Sequence, residues 1–176
     1  NARKNAIEVL SSGVTIVNVS VTNTDSPYYD INFSSSNITN INGTYLIDTY
    51  LGNYTIGGVG GTIFFKNSQY GEMRFLQAIN GSGNNLSADV RMGNNSVYVN
   101  SSKTGLNVSA NVTLYGLPIT FISPKIYRDS GICDSTTSVK CWNFTSLNAG
   151  NVSFNVSFWS SYSIMEQTDI TAPAIN

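Results

Sequence analysis

The sequence predicts an all-β protein: short parallel β-helix-like (solenoid) coils followed by an immunoglobulin-like β-sandwich. Polar and apolar residues alternate with period two along most of the chain, and no helical stripe of about ten residues or more interrupts them. The first quarter resembles itself at a displacement of 24 residues. Beyond it, β-type runs recur at spacings of about 8–12 residues, as expected for a sandwich.

The repeat lays Ile7–Asn18, "IEVLSSGVTIVN", over Ile31–Asn42, "INFSSSNITNIN". Ile7, Ser11, Ser12, Thr15 and Asn18 meet identical residues, while Val9, Val14 and Val17 meet Phe33, Ile38 and Ile41. Stacked coils of a parallel β-helix produce this pattern, because apolar positions lie over one another and Asn/Ser positions turn the corners. "GNYTIGGVGG", Gly52–Gly61, then breaks it and marks a boundary. Residues 1–60 are read as β-helix-like coils and assembly region, 61–165 as the sandwich, and 166–176 as a connector or donor segment.

In the second part, strands are expected around Met73–Ile79, Val90–Met92, Val97–Asn100, Asn107–Tyr115, Ile119–Tyr127, Trp142–Ser146 and Val152–Trp159. Leu106, Val108, Ala110, Val112 and Leu114 form one apolar face, with Asn107, Ser109, Asn111 and Thr113 on the other. Likewise Val152, Phe154, Val156 and Phe158 are expected inside, and Asn151, Ser153, Asn155 and Ser157 outside. Pro118 and Pro124 belong at a strand start or on an edge.

Composition narrows the function. Charged residues supply only 11%, against roughly a quarter in ordinary soluble proteins. Nine Lys/Arg balance ten Asp/Glu, which leaves no basic stripe for nucleic acid. Asn, Ser and Thr number 23, 24 and 16 and carry the hydrophilicity instead, as on an extracellular surface. With no histidine, the commonest general base and most zinc sites are removed. No apolar run approaches the roughly 20 residues of a membrane-spanning helix. The chain begins without Met or a signal peptide and is expected to be processed or a fragment; "TDITAPAIN" reads as a connector to a further module.

Cys133 and Cys141 are expected to close a short disulfide loop worth roughly 2–3 kcal/mol. The bland alternative is two buried thiols. The glycosylation acceptor pattern Asn-x-Ser/Thr occurs 14 times, at Asn18, Asn32, Asn37, Asn42, Asn53, Asn80, Asn85, Asn94, Asn100, Asn107, Asn111, Asn143, Asn151 and Asn155. Chance from composition gives roughly 5. Polar-out strands explain part of the excess, since positions i and i+2 share a face. The remainder points to N-glycans, which would also shield sheet edges from mispairing.

The segments "LNVSANVTLYGL", "PKIYRDSGIC" and "FWSSYS" resemble the C-terminal module of predicted surface proteins from uncultivated archaea. In that family a right-handed parallel β-helix runs into an immunoglobulin-like sandwich. The resemblance implies that architecture and a surface location, and implies no chemistry. Such proteins carry many coils; this chain has two or three.

Catalysis has little to stand on. Asp30 and Asp48 could flank a sugar as a glycosidase pair, but turn-capping and solvated roles explain isolated acids better. Asp129 and Asp134 in "YRDSGICD" lack the spacing of a calcium loop, and "GGVGG" lacks the Lys-Ser/Thr of a phosphate loop. No cofactor or metal is expected. The expected function is that of a non-catalytic, heavily N-glycosylated extracellular structural protein, a self-assembling, pilus-like surface filament subunit. A homo-oligomer would form by solenoid-end docking or by donor-strand pairing through Asn1–Val9 or Ile164–Asn176. The alternatives are a cell-surface adhesin or carbohydrate-binding module and, third, a polysaccharide-cleaving enzyme.

Overall fold

The computed structural model describes residues 63–82 and 84–167, together with six short strands upstream. Those strands are β1 (Ile7–Val9), β2 (Thr15–Ile16), β3 (Val19–Val21), β4 (Ile31–Ser35), β5 (Tyr50–Leu51) and β6 (Tyr54–Ile56). Next come β7 (Ile63–Asn67), β8 (Gly71–Phe75), β9 (Ile79–Gly81), β10 (Asn84–Asn85), the helical turn α1 (Leu86–Asp89), β11 (Val90–Gly93) and β12 (Ser96–Val99). A 3₁₀ turn at Thr104–Leu106 leads to β13 (Ala110–Leu114), β14 (Pro124–Arg128), β15 (Gly131–Ile132), β16 (Cys141–Asn143), β17 (Val152–Val156) and β18 (Ser161–Glu166). The chain is all-β, as its alternation demands.

Upstream, the strands pair in parallel. Ile7 stands beside Ile31 and Val9 beside Phe33, the displacement of 24 residues read from the sequence. The next step, Ile31 to Ile63 and Phe33 to Phe65, is longer. Thr15 pairs with Tyr50, not with Thr39 as that repeat would have it, and Val19 pairs with Tyr54. The repeat therefore holds between β1 and β4 and fails for the strands after them, because extra residues enter between Ser35 and Tyr50. The stretch Gly52–Gly61 contains β6, which continues the parallel pattern.

At β7 the direction changes. β8 folds back antiparallel on it across a tight turn, in which buried Asn67 accepts the Gln69 and Tyr70 N–H groups at 2.9 and 3.1 Å. Gly71 closes that turn at φ +150°, where a Cβ would stand 2.1 Å from the Thr113 carbonyl oxygen. β9 and β10 then return antiparallel onto β6 and β5. One seven-stranded sheet results, in the order β1-β4-β7-β8-β13-β17-β16, and it runs unbroken past residue 60.

A five-stranded sheet, β11-β12-β18-β14-β15, covers its antiparallel half. Between the two lie Met73, Phe75, Val112, Leu114, Phe154 and Val156 from one side, and Val97, Val99, Ile126, Tyr162 and Ile164 from the other, all buried in one cluster. Edge-to-face rings knit the centre: Phe75 to Trp159 at 6.0 Å and Trp159 to Tyr162 at 5.9 Å. Cys133, just after β15, is joined to Cys141 at the start of β16, so the disulfide ties the neighbouring edges of both sheets. Pro124 opens β14, as proline requires.

Three expectations change. Phe158 is 51% exposed and Trp159 fully buried, because β17 ends at Val156 and the turn after it shifts the alternation by one residue. Ile119–Ser123 is loop and not strand; Ile122 and Ser123 donate their N–H groups to the Glu166 carboxylate at 2.8 and 2.6 Å. Ile164–Glu166 lies inside β18, paired with Ile126, Lys125 and Pro124 of β14, and so already belongs to this chain's own sheet; residues 168–176 lie outside the described residues.

Candidate assembly edges and outer face

Two surfaces follow from this topology. The first is a set of strand edges. β1 ends the seven-stranded sheet, β2 ends the sheet β10-β5-β2, and β3 ends the sheet β3-β6-β9. All three belong to the same first unit of chain, and each is paired on one side only among the described residues. A strand edge carries unpaired N–H and C=O groups and is a template for another strand. At the opposite end, β15 and β16 are two and three residues long and are stapled by Cys133–Cys141, which blunts those edges.

The second surface is the outer face of the large sheet. Alternation puts Phe65, Met73, Val112 and Phe154 inward, leaving Phe64, Arg74, Asn111 and Asn155 outward. Register brings these into one row: Phe64 opposite Arg74, Arg74 opposite Asn111, Asn111 opposite Asn155 and Asn155 opposite Trp142. Upstream, Glu8 and Asn32 occupy the same row of register positions. A second row runs Lys66, Glu72, Thr113, Ser153. Within it Lys66 Nζ lies 3.7 Å from Glu72, the Tyr115 hydroxyl donates to Glu72 at 2.7 Å, and the Thr113 and Ser153 hydroxyls stand 2.8 Å apart. Burial, aided by Glu72, pushes the Tyr115 hydroxyl well above its usual range and keeps it a donor.

The acceptor asparagines divide by environment. Asn80, Asn94, Asn111, Asn143 and Asn151 are exposed. Asn100, Asn107 and Asn155 are half-buried. The Asn100 side-chain N–H donates to buried Asp89 at 2.9 Å, and the Asn107 side-chain oxygen accepts the Trp159 backbone N–H at 2.7 Å. Asn155 Oδ1 is buried without a hydrogen-bond partner. A glycan bonds through the amide nitrogen, so the exposed set has room and Asn100 does not. Asn32 and Asn85 are strand positions, and Asn18, Asn37, Asn42 and Asn53 lie outside the described residues.

Each described carboxylate whose side chain is placed has a structural partner. Asp89 accepts the Asn84 and Asn100 amides at 3.3 and 2.9 Å, pinning α1 to the segment after β12. Asp129, in the left-handed region at φ +55°, turns the β14–β15 hairpin and accepts the Ser160 hydroxyl at 2.6 Å. Asp134 caps the disulfide loop; the Thr136 hydroxyl at 2.7 Å, then the Thr136 N–H, hold its carboxyl below the usual carboxylate range. Asp30 and Asp48 lie outside the described residues. Among the described residues no three metal-binding side chains cluster, and no helix is long and apolar enough to cross a membrane.

What sequence reasoning missed was the row itself. "IFFKN" hides its alternation behind two adjacent phenylalanines, of which Phe65 is buried and Phe64 faces out. The chain matches no family model, no curated protein and no solved structure.

Proposed function

We propose that this chain is a non-catalytic, N-glycosylated extracellular structural protein that stacks its open strand edges on the next copy to build a surface filament. The observation that carries this reading is the coincidence of three edges, β1, β2 and β3, on one unit of chain. One edge strand is common; three that step together through parallel ladders offer a shared edge onto which another unit can pair. A contact of that kind joins unlike surfaces and does not close, so it grows fibres. Low charge and abundant exposed acceptor asparagines fit a glycan-coated exterior. The likeness to archaeal surface proteins points the same way.

The finer fold belongs to this reading. β1, β2 and β3 form one three-sided coil and β4, β5 and β6 a second, with β7 starting a third before the chain reverses. The sandwich follows immunoglobulin order. β8, β13, β17 and β16 take the positions of strands A, B, E and D, and β15, β14 and β18 those of C′, C and F. Tyr162, at the start of β18, donates its hydroxyl to the Phe158 carbonyl, the tyrosine corner of such domains. Here the place of strand G is taken by β12, which comes from upstream between the first two strands. The disulfide joins sheet edges and does not cross the core between B and F.

Intact mass before and after chemical deglycosylation, read beside negative-stain images, tests the proposal. Filaments and a mass well above 19.0 kDa that falls on deglycosylation are expected; a monodisperse, unmodified monomer contradicts it.

A further inference from the structure

We propose that the outer face of the seven-stranded sheet is a saccharide-binding groove, walled by Phe64 and Phe144 and floored by Arg74, Asn111, Thr113 and Ser153. These side chains line one open groove of about 230 Å³. Its floor is two adjacent cross-strand rows, so each strand step of about 4.8 Å offers a new polar group.

The chemistry selects the ligand. Phenylalanine rings offer flat apolar faces, which suit the C–H face of a pyranose. Between them the floor alternates a guanidinium fork, a carboxamide and two hydroxyls, a mixture of donors and acceptors that matches vicinal hydroxyls. An apolar ligand would cover those polar groups with a surface that offers them no hydrogen bond in place of water. A phosphorylated one would meet Glu72, which lies in the same groove and already engages Lys66 and Tyr115. A folded protein needs about 800 Å² of its own surface covered, more than a groove of this size provides. Glu72 is held by the Tyr115 hydroxyl, and one of the Thr113 and Ser153 hydroxyls donates to the other, so the floor is ordered before any sugar arrives. Trp142, 41% exposed and opposite Asn155, extends the face beyond the groove.

The saccharide can come from two sources. Asn111 is itself an exposed acceptor in the floor, so the first sugars of its own glycan are one source. A free glycan strand of the surrounding surface is the other. Asn155 stands directly opposite Asn111, leaving room for one attached chain there and not two.

The test uses the full chain produced with and without N-glycans, titrated with a panel of neutral linear oligosaccharides and followed by backbone amide resonances. The unmodified chain is expected to bind at least one panel member, with shifts confined to β7, β8, β13, β17 and the segment around Phe144. Phe144→Ala and Arg74→Ala should each weaken binding by about tenfold or more. Phe144 is 63% exposed, so its truncation leaves the fold intact, and Ile122→Ala, exposed in the β13–β14 loop and not part of the groove lining, should change nothing. Binding lost in the glycosylated chain and restored by deglycosylation identifies the attached glycan as occupant; binding equal in both forms identifies a free one. Either supports the proposal. No binding by the unmodified chain, or binding indifferent to both Phe144→Ala and Arg74→Ala, overturns it, whether or not filaments form.

Discussion

Strands β1, β4 and β7 lie parallel and in register, whereas β8, β13, β17 and β16 alternate in direction, although all seven share one sheet. On the parallel side each further strand needs another length of chain, and β1 is paired on one side only among the described residues. The antiparallel side closes on itself through short turns, a covering sheet and a disulfide between edges. In the proposed filament the first arrangement is the place of growth, and the second is the closed body that carries the outer face. Phe65 sits at the seam, in register with Phe33 on one side and Met73 on the other, and is fully buried.

That contrast can be broken most sharply in the core of the closed side. Trp159→Ala removes the ring that touches Phe75 and Tyr162 and should cost about 3–5 kcal/mol in denaturant unfolding. If the two regions differ as described, hydrogen exchange should rise throughout β8 and β11–β18. Phe65→Ala, of similar cost, should instead loosen both regions together. Next in size is the edge staple. Cys133→Ser with Cys141→Ser should lower stability by about 2–3 kcal/mol while leaving β1–β6 exchange unchanged. An equal loss at β1–β6 would mean that the regions are one cooperative unit.

The smallest effect concerns the corner hydroxyl. Tyr162→Phe removes the bond to the Phe158 carbonyl and should cost about 1 kcal/mol near neutrality. Burial pushes the Tyr162 hydroxyl up to about 12 from its usual 10.0. A raised folded-state value favours the protonated form, so this contribution is complete below about pH 10 and fades as pH rises through about 12. Wild type should therefore lose stability across that alkaline window more steeply than Tyr162→Phe. Parallel pH curves for the two proteins would show that the hydroxyl ionises as in water.

The same contrast decides what could be read from sequence. In-register parallel stacking aligns like residues, so Ile7 over Ile31 and Val9 over Phe33 are visible as a repeat. The second and third ladders shift because residues are added after Ser35, and the repeat loses their partners there. Antiparallel pairing leaves no self-similarity: Val112 beside Phe154 and Met73 follows from no sequence match. The inward faces of β13 and β17 were legible from alternation, as far as Val156. Phe158, expected inside, faces out because the turn after Val156 adds one residue to the period. The acceptor asparagines were legible as motifs, while Asn100 held against Asp89 and Asn155 facing Asn111 needed the fold.

Proline scanning of β1 with filament imaging tests the proposed growth through this edge most directly. Neighbouring residues of a parallel edge strand direct their N–H groups to opposite sides, so Glu8→Pro and Val9→Pro remove one inward and one outward donor. One of the two should keep the native circular dichroism spectrum and lose filaments altogether, remaining a monomer in sedimentation. Filaments of undiminished length from both folded variants would contradict growth through this edge.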